Sequence, residues 1–145
     1  MNDEQRQRIK KRMIQKGWET NALLQECLEA MGTQAEIVPF EAGERLVREL
    51  NQVLRELFKP ENQYCPAVWE ELGCAEEISS QWIGDEVYIV WDGAGLPVIQ
   101  GSLHSLLCNL EDVTVVSFDT WVVSKDMRRL VEMRGDGRVR KYERE

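Results

Sequence analysis

Cysteine and histidine are the side chains of this 145-residue chain that most readily suggest catalysis or metal binding. The four cysteines, Cys27, Cys65, Cys74 and Cys108, form no CxxC pair, and the chain has one histidine. A zinc site needs clustered thiolate or imidazole ligands, and a stable disulfide needs an oxidising compartment. The sequence therefore predicts four reduced thiols and no metal or other cofactor.

His104 and Cys108 are the one pair whose spacing could support nucleophilic catalysis. They lie four residues apart in a segment with helical periodicity, and a base within hydrogen-bond reach of a thiol can activate it. No motif flanks either residue, and Cys108 adjoins a leucine-rich face on which a thiol acts as a small apolar group. We therefore predict that the protein is not an enzyme. A small cytoplasmic hydrolase or transferase that uses this pair is the alternative.

The acidic side chains are concentrated in the middle of the chain. The formal net charge is −8, yet residues 1–16 carry six basic against two acidic side chains, and residues 125–145 carry eight against five. Residues 60–124, called the acidic window below, contain eleven carboxylates and no lysine or arginine. Crowded like charges destabilise a compact fold unless opposite charges compensate them. We expect the basic ends to pair in part with this acidic middle.

An acidic surface that remains uncompensated suits a basic protein partner, because complementary charge speeds association. Solubility alone is the other explanation of the net charge. Nucleic acid is excluded as a direct partner of this surface, since its phosphates would be repelled. The sequence thus favours a protein-binding module over a nucleic-acid-binding one.

Particular residues of the acidic window are candidates for that contact. Asp119 interrupts an apolar run, and strand alternation would place it on the same face as Trp121. Tryptophan is enriched at the centres of protein interfaces. The predicted binding residues are two acidic pairs, one strand aspartate and two aromatic anchors: Glu70, Glu71, Asp85, Glu86, Asp119, Trp82 and Trp121.

The first part of the chain is predicted to be mainly helical. Apolar spacing predicts a first helix over residues 4–16, interrupted by Gly17. A second helix is predicted over about residues 21–31, capped by Thr20 or Asn21 and stopped at Gly32. A third is predicted over residues 41–58. Shorter helical turns are predicted around Val68-Trp69 and Ile78–Trp82. A connector or short edge strand is predicted between Glu36 and Phe40.

The second part of the chain reads as β-α-β-β-β. Strands are predicted over 87–91, 113–124, 129–134 and 138–143, with a helix opening after Gly101-Ser102 and a tight turn at residues 135–137. The prediction is a single α+β domain over residues 1–145, in which N-terminal helices pack on one face of a C-terminal, mostly antiparallel sheet. No hydrophobic run approaches the roughly 20 residues of a membrane helix. We therefore expect a cytoplasmic protein without membrane contact.

The C-terminal half resembles small cytoplasmic immunity proteins of bacterial toxin systems, of the contact-dependent growth inhibition (Cdi) type. The likeness lies in VYIVWDGAGLPVIQGSL from Val87, EDVTVVSFDTWVVS from Glu111, and the charged hairpin that follows. Its most specific piece is SFDTW, Ser117–Trp121. A more distant likeness, to the Smi1/Knr4-like superfamily, rests on residues 70–73 and Leu96-Pro97.

The resemblance implies a protein that binds a cognate toxin domain and neutralises it without catalysis. Many such toxins are nucleases, which are basic around the active site, so an acidic inhibitor could occupy their phosphate-binding groove. A self-associating adaptor that pairs through the N-terminal helices is a further alternative. The sequence leaves the oligomeric state and the identity of the toxin open.

Overall fold

A single antiparallel sheet forms the centre of the molecule. The computed structural model describes residues 1–58 and 69–144. Seven strands lie in the order β1-β4-β3-β5-β6-β7-β2, and every neighbouring pair is antiparallel. The strands are Ala35–Ile37 (β1), Trp69–Leu72 (β2), Glu86–Trp91 (β3), Ile99–Ser102 (β4), Thr120–Ser124 (β5), Arg129–Met133 (β6) and Val139–Glu143 (β7).

Three longer helices precede most of this sheet, and shorter ones connect its strands. The α-helices of the described residues are Asp3–Thr20 (α1), Ala22–Met31 (α2), Phe40–Leu57 (α3), Ser80–Ile83 (α4), Leu103–Cys108 (α5) and Leu110–Thr114 (α6). None of them has both the length and the apolar composition that crossing a bilayer requires. The α+β class with N-terminal helices and a C-terminal antiparallel sheet is therefore confirmed.

Local capping explains several of the helix boundaries. The Asn21 side chain accepts a hydrogen bond from the Leu24 N–H at 3.0 Å and so caps α2, as predicted. Gly32 ends the same helix with a φ of 59°, a conformation that favours glycine. Ser102 caps α5 through the Ser105 N–H. The turn at Gly135-Asp136-Gly137 joins β6 to β7, which confirms the predicted hairpin.

The predicted break of the first helix at Gly17 is wrong. Helix α1 continues through Gly17 to Thr20, although an interior glycine costs about 1 kcal/mol relative to alanine. The next residue, Trp18, is buried, and its Nε1 donates to the Gly95 carbonyl at 2.6 Å. This tertiary anchor offsets the local cost and keeps the last turn helical.

The single long strand predicted over residues 113–124 is also wrong. Residues Leu110–Thr114 are helical, and the strand is confined to Thr120–Ser124. Val113 is fully buried on α6, and its carbonyl accepts the indole N–H of Trp91 at 2.9 Å. Asp119 thus lies just before β5 in a loop.

The helical turn predicted at Val68-Trp69 is a third error. Val68 lies outside the described residues, and Trp69 begins β2, which pairs with β7.

The sheet is covered on both faces, not on one as predicted. Leu24 and Cys27 of α2 join one apolar cluster with Ile89, whereas Leu50 of α3 joins a second cluster with Val90. Successive side chains of a strand point to opposite faces. Every residue of the central strand β5 is buried, and so are four of the six residues of β3, because both faces of these strands are covered.

Candidate functional site

The predicted binding residues lie in separate places on the sheet. Asp85 comes just before β3, and Glu86 is the first residue of that strand. Asp119 lies beyond the other end of β3, where its carbonyl accepts the Asp92 N–H at 3.2 Å. A strand rises about 3.3 Å per residue, so Glu86 and Asp92 are about 20 Å apart along β3. Glu70 lies in β2 at one edge of the sheet. The acidic window therefore does not form one patch.

Glu70 and Glu71 are paired with the basic C-terminal strand. Lys141 Nζ lies 3.4 Å from a Glu70 carboxylate oxygen, and Arg140 Nε lies 3.6 Å from one of Glu71. The register of β2 on β7 places each acid directly opposite its base. The expected internal pairing of a basic end with the acidic middle is confirmed here. Such exposed pairs contribute little to stability, but they cancel the local charge.

Trp82 is half-buried on α4 and carries basic groups on its ring. Lys141 Nζ lies 5.0 Å and the Arg129 guanidinium 5.9 Å from the ring centroid. The indole N–H donates to Glu143 at 3.3 Å, and the Arg129 Nε donates to the same carboxylate at 3.2 Å. These two hydrogen bonds, the one from Trp82 first, hold the pKa of Glu143 below its usual range. The chain's own cations thus occupy this aromatic surface.

Asp85 and Glu86 are exposed. Neither carboxylate forms an ion pair with any residue in the described ranges 1–58 and 69–144. The Asp85 carbonyl accepts the Leu103 N–H at 2.7 Å, which ties the start of β3 to the start of α5. These two carboxylates are available to a basic partner at this end of the sheet.

Asp119 lies in a loop that is held by hydrogen bonds to two carboxylates, those of Asp92 and of Asp119 itself. Asp92 Oδ1 accepts the Ser117 hydroxyl at 2.6 Å and the Asp119 N–H at 3.1 Å. Asp119 Oδ1 in turn accepts the Gly135 N–H at 2.9 Å. The loop of residues 115–119, called the Phe118 loop below, is therefore fixed both to the end of β3 and to the β6–β7 hairpin.

The side chain of Phe118, within this hydrogen-bonded loop, is exposed to solvent. It is 73 % exposed, and Val115 in the same loop is 51 % exposed. A Cβ added to Gly135 would lie 2.7 Å from the Phe118 carbonyl oxygen and 2.9 Å from its ring. The hairpin backbone therefore lies directly against Phe118 and needs glycine there. Phe118 is not among the binding residues predicted from the sequence. The signal available was an aromatic residue between two polar ones.

Trp121 lies three residues away and is 8 % exposed. Its ring packs on Tyr142 with centroids 5.8 Å apart, in the cluster that α3 covers. It also contributes to the wall of a cleft of about 940 Å³ between α3 and residues 90–98. Across the β5–β6 ladder it pairs with Glu132, whose pKa burial raises. The main role of Trp121 is therefore in the core.

His104 and Cys108 are adjacent on the surface of α5. Cys108 Sγ lies 3.7 Å from His104 Nε2, and both residues are exposed. In the part of the chain that the structure describes, no carboxylate hydrogen bonds to this imidazole, and no group of three His, Cys, Asp or Glu side chains could hold a metal ion. Cys27 is fully buried, and burial raises the pKa of its thiol to about 11. Cys65 lies outside the described residues.

The chain matches a family model described as "CdiI immunity protein EcoliA0-like" over residues 21–142. No curated protein matches the chain. The matched range begins at the cap of α2 and ends within β7, so it includes the Phe118 loop and both acidic ends of β3. Helix α1 lies entirely outside it.

Proposed function

Because the chain belongs to the CdiI immunity protein family, we propose that it binds a cognate toxin domain and neutralises it by covering its surface, without catalysing a reaction. The observation that carries this proposal is the family match over residues 21–142, which spans the sheet and its covering helices α2 and α3. Protection would take place in the cytoplasm of the bacterium that makes both proteins, as part of contact-dependent growth inhibition.

We further propose that the toxin domain is basic and acts as a nuclease. The net charge of −8 and the eleven carboxylates of the acidic window support this. A nuclease concentrates positive charge around its active site because its substrate is a polyanion. Complementary charge would then steer the two proteins together, and high salt would slow their association.

The carboxylates that form no ion pair with any residue in the described ranges are the better candidates for this contact. Asp119, the last residue of the Phe118 loop, is the acidic residue that we place first, and Asp85 with Glu86 forms the second surface. Glu70 and Glu71 have bases of β7 opposite them. Contact of the toxin with those two residues, with Trp82 or with Trp121 stays a prediction.

Growth protection tests the proposal directly. The probe is the C-terminal domain of an exported protein encoded directly upstream of this chain, expressed from an inducible promoter in a bacterium that lacks both genes. We expect co-expression of the chain to restore growth. An unrelated toxin domain is the specificity control, and it should still arrest growth. Arrest by the upstream toxin despite a well-expressed chain would contradict the proposal.

The His104–Cys108 contact makes catalysis the competing explanation of any protection. His104→Ala removes the only imidazole of the chain, and Cys108→Ser removes the thiol. Because we propose that protection depends on binding alone, both variants should protect as well as the wild type. Loss of protection by both variants, with toxin binding retained, would favour the enzyme.

A further inference from the structure

We infer that Phe118 is the aromatic anchor of the toxin interface, and that it enters an apolar pocket with basic residues at its rim on the toxin domain. This inference rests on the proposed function and specifies which surface performs it. Three features of the Phe118 loop carry it: exposure, fixed geometry and the charge of its surroundings.

The exposure is unusual for a large aromatic side chain. Phe118 is 73 % exposed, and a second exposed apolar residue, Val115, lies in the same loop. By contrast, the ring of Phe58, also exposed, packs on Tyr142 with centroids 5.4 Å apart. Aromatic residues are enriched in the buried centres of protein interfaces. A single exposed apolar residue is common on protein surfaces, but Phe118 also has a fixed position and acidic neighbours.

The loop holds Phe118 in one place before any partner arrives. Its two polar neighbours are used for bracing, because Ser117 and the Asp119 N–H both bind Asp92, while the Asp119 carboxylate binds the Gly135 N–H. The close approach of Gly135 limits movement of the loop on its other side. A preorganised side chain loses little conformational entropy on binding, which favours affinity.

The charge around Phe118 specifies the rim of the partner's pocket. Asp92 and Asp119 accept these bonds through Oδ1, and neither Oδ2 has a hydrogen bond with a residue that the structure describes. Glu111 lies one helical turn before Val115, and the Glu111 carbonyl accepts the Val115 N–H. Arg134, next to Gly135 in the hairpin, lies 3.7 Å from Asp136, which also lies 3.9 Å from Arg138. Acidic groups thus flank an apolar centre, and basic groups on the partner would complement them.

The deciding experiment measures the Kd of the purified upstream-encoded toxin domain for full-length variants. Phe118→Ala should weaken binding about 30-fold or more, the size of an interface hot spot. Met13→Ala is the matched control, because Met13 is also exposed, at 70 %, but lies on α1, outside the family match. It should bind within about twofold of the wild type. Phe118→Trp, which keeps an aromatic anchor, should retain more affinity than Phe118→Ala.

The outcomes separate this inference from the proposed function. If Phe118→Ala binds within twofold of the wild type, Phe118 is not the anchor, and the proposed function stands. If the wild type itself does not bind, both are wrong. If the wild type is a dimer and Phe118→Ala a monomer by sedimentation, with toxin binding unchanged, the residue serves contact between two copies and the inference is overturned. Thermal unfolding of each variant excludes misfolding as the cause.

Discussion

Two regions of the molecule use carboxylates of the same acidic window in opposite ways. At the β2–β7 edge, Glu70 and Glu71 lie opposite lysine and arginine side chains of the neighbouring strand. At the Phe118 loop, Asp92 and Asp119 bind hydroxyl and backbone N–H groups of their own neighbourhood. The first arrangement cancels charge. The second fixes a loop and leaves the negative charge in place, so the count of acids in a window does not reveal which of them a partner can meet.

The same contrast separates the two aromatic residues of SFDTW. Phe118 and Trp121 are three residues apart, yet one lies in solvent and the other in the core. The loop ends at Thr120, where β5 begins and its side chains are buried on both faces. We therefore expect Trp121 to determine stability and Phe118 to determine binding.

The largest expected effect is on stability. Trp121→Ala should lower the free energy of unfolding by about 3–5 kcal/mol, because it leaves a cavity beside Tyr142. Phe118→Ala should change it by about 0.5 kcal/mol or less, as is usual for exposed positions. Chemical denaturation of both variants measures the difference. Equal destabilisation by the two substitutions would remove the distinction between the core and the exposed aromatic residue.

The next effect concerns the support of the Phe118 loop. Gly135→Ala should displace Phe118, because its Cβ would meet the carbonyl oxygen and the ring at less than 3 Å. Overpacking of this kind costs about 1–3 kcal/mol, and we expect weaker toxin binding to accompany it. Gly137→Ala is unsuitable as a control, because Gly137 has a φ of 94°. Gly17→Ala is the control for toxin affinity, because nothing lies within 4 Å of its added Cβ. As an alanine inside α1 it should raise the free energy of unfolding by about 1 kcal/mol. A Gly135→Ala protein with unchanged stability and unchanged toxin affinity would show that the close approach does not hold the loop.

A smaller effect is expected at the paired edge. The double variant Glu70→Gln/Glu71→Gln should change the free energy of unfolding by less than about 1 kcal/mol, since exposed ion pairs are weak. Its association rate with the toxin at low salt should stay near that of the wild type, whereas Asp92→Asn, which retains an acceptor for the loop, should slow association. Stopped-flow mixing at two salt concentrations measures both rates. A slower rate for the edge variant and an unchanged rate for Asp92→Asn would reverse the comparison.

The smallest effect is a pH dependence at the opposite end of the sheet. The Ser124 hydroxyl and the Arg128 N–H hydrogen bond to Asp126 and hold the pKa of that carboxyl below its usual range. Because the folded pKa is below the unfolded one, the contribution to stability is complete above the unfolded pKa and is lost as the pH falls through the folded pKa. Solvent screening limits it to the order of a few tenths of a kcal/mol. Asp126→Asn should reduce the slope of stability against pH below about pH 4, and an unchanged slope would contradict this assignment.

Local signals in the sequence predicted much of the fold. Asn21 and Gly32 marked the ends of α2, and Gly135–Gly137 marked the last hairpin, because caps and tight turns depend on adjacent residues. The bend before β5 was not predictable in this way. It depends on Asp92 and on the burial of Val113 under Trp91, which are contacts between residues distant in the chain.

The candidate site was less predictable than the fold, for the same physical reason. Glu70 and Lys141 are 71 positions apart, and only the register of β2 on β7 shows that they compensate each other. The exposure of Phe118 depends on where Gly135 lies, in a hairpin that follows two further strands. Composition indicated an acidic protein, but tertiary contacts decide which carboxylates remain available.

The most direct test of the binding function is a calorimetric titration of the purified upstream-encoded toxin domain into the full chain. It is carried out at low and at physiological ionic strength. We predict a stoichiometric complex with a nanomolar or tighter Kd, and an affinity that falls as the salt concentration is raised. The absence of heat and of a complex at micromolar concentrations of both folded proteins would contradict it.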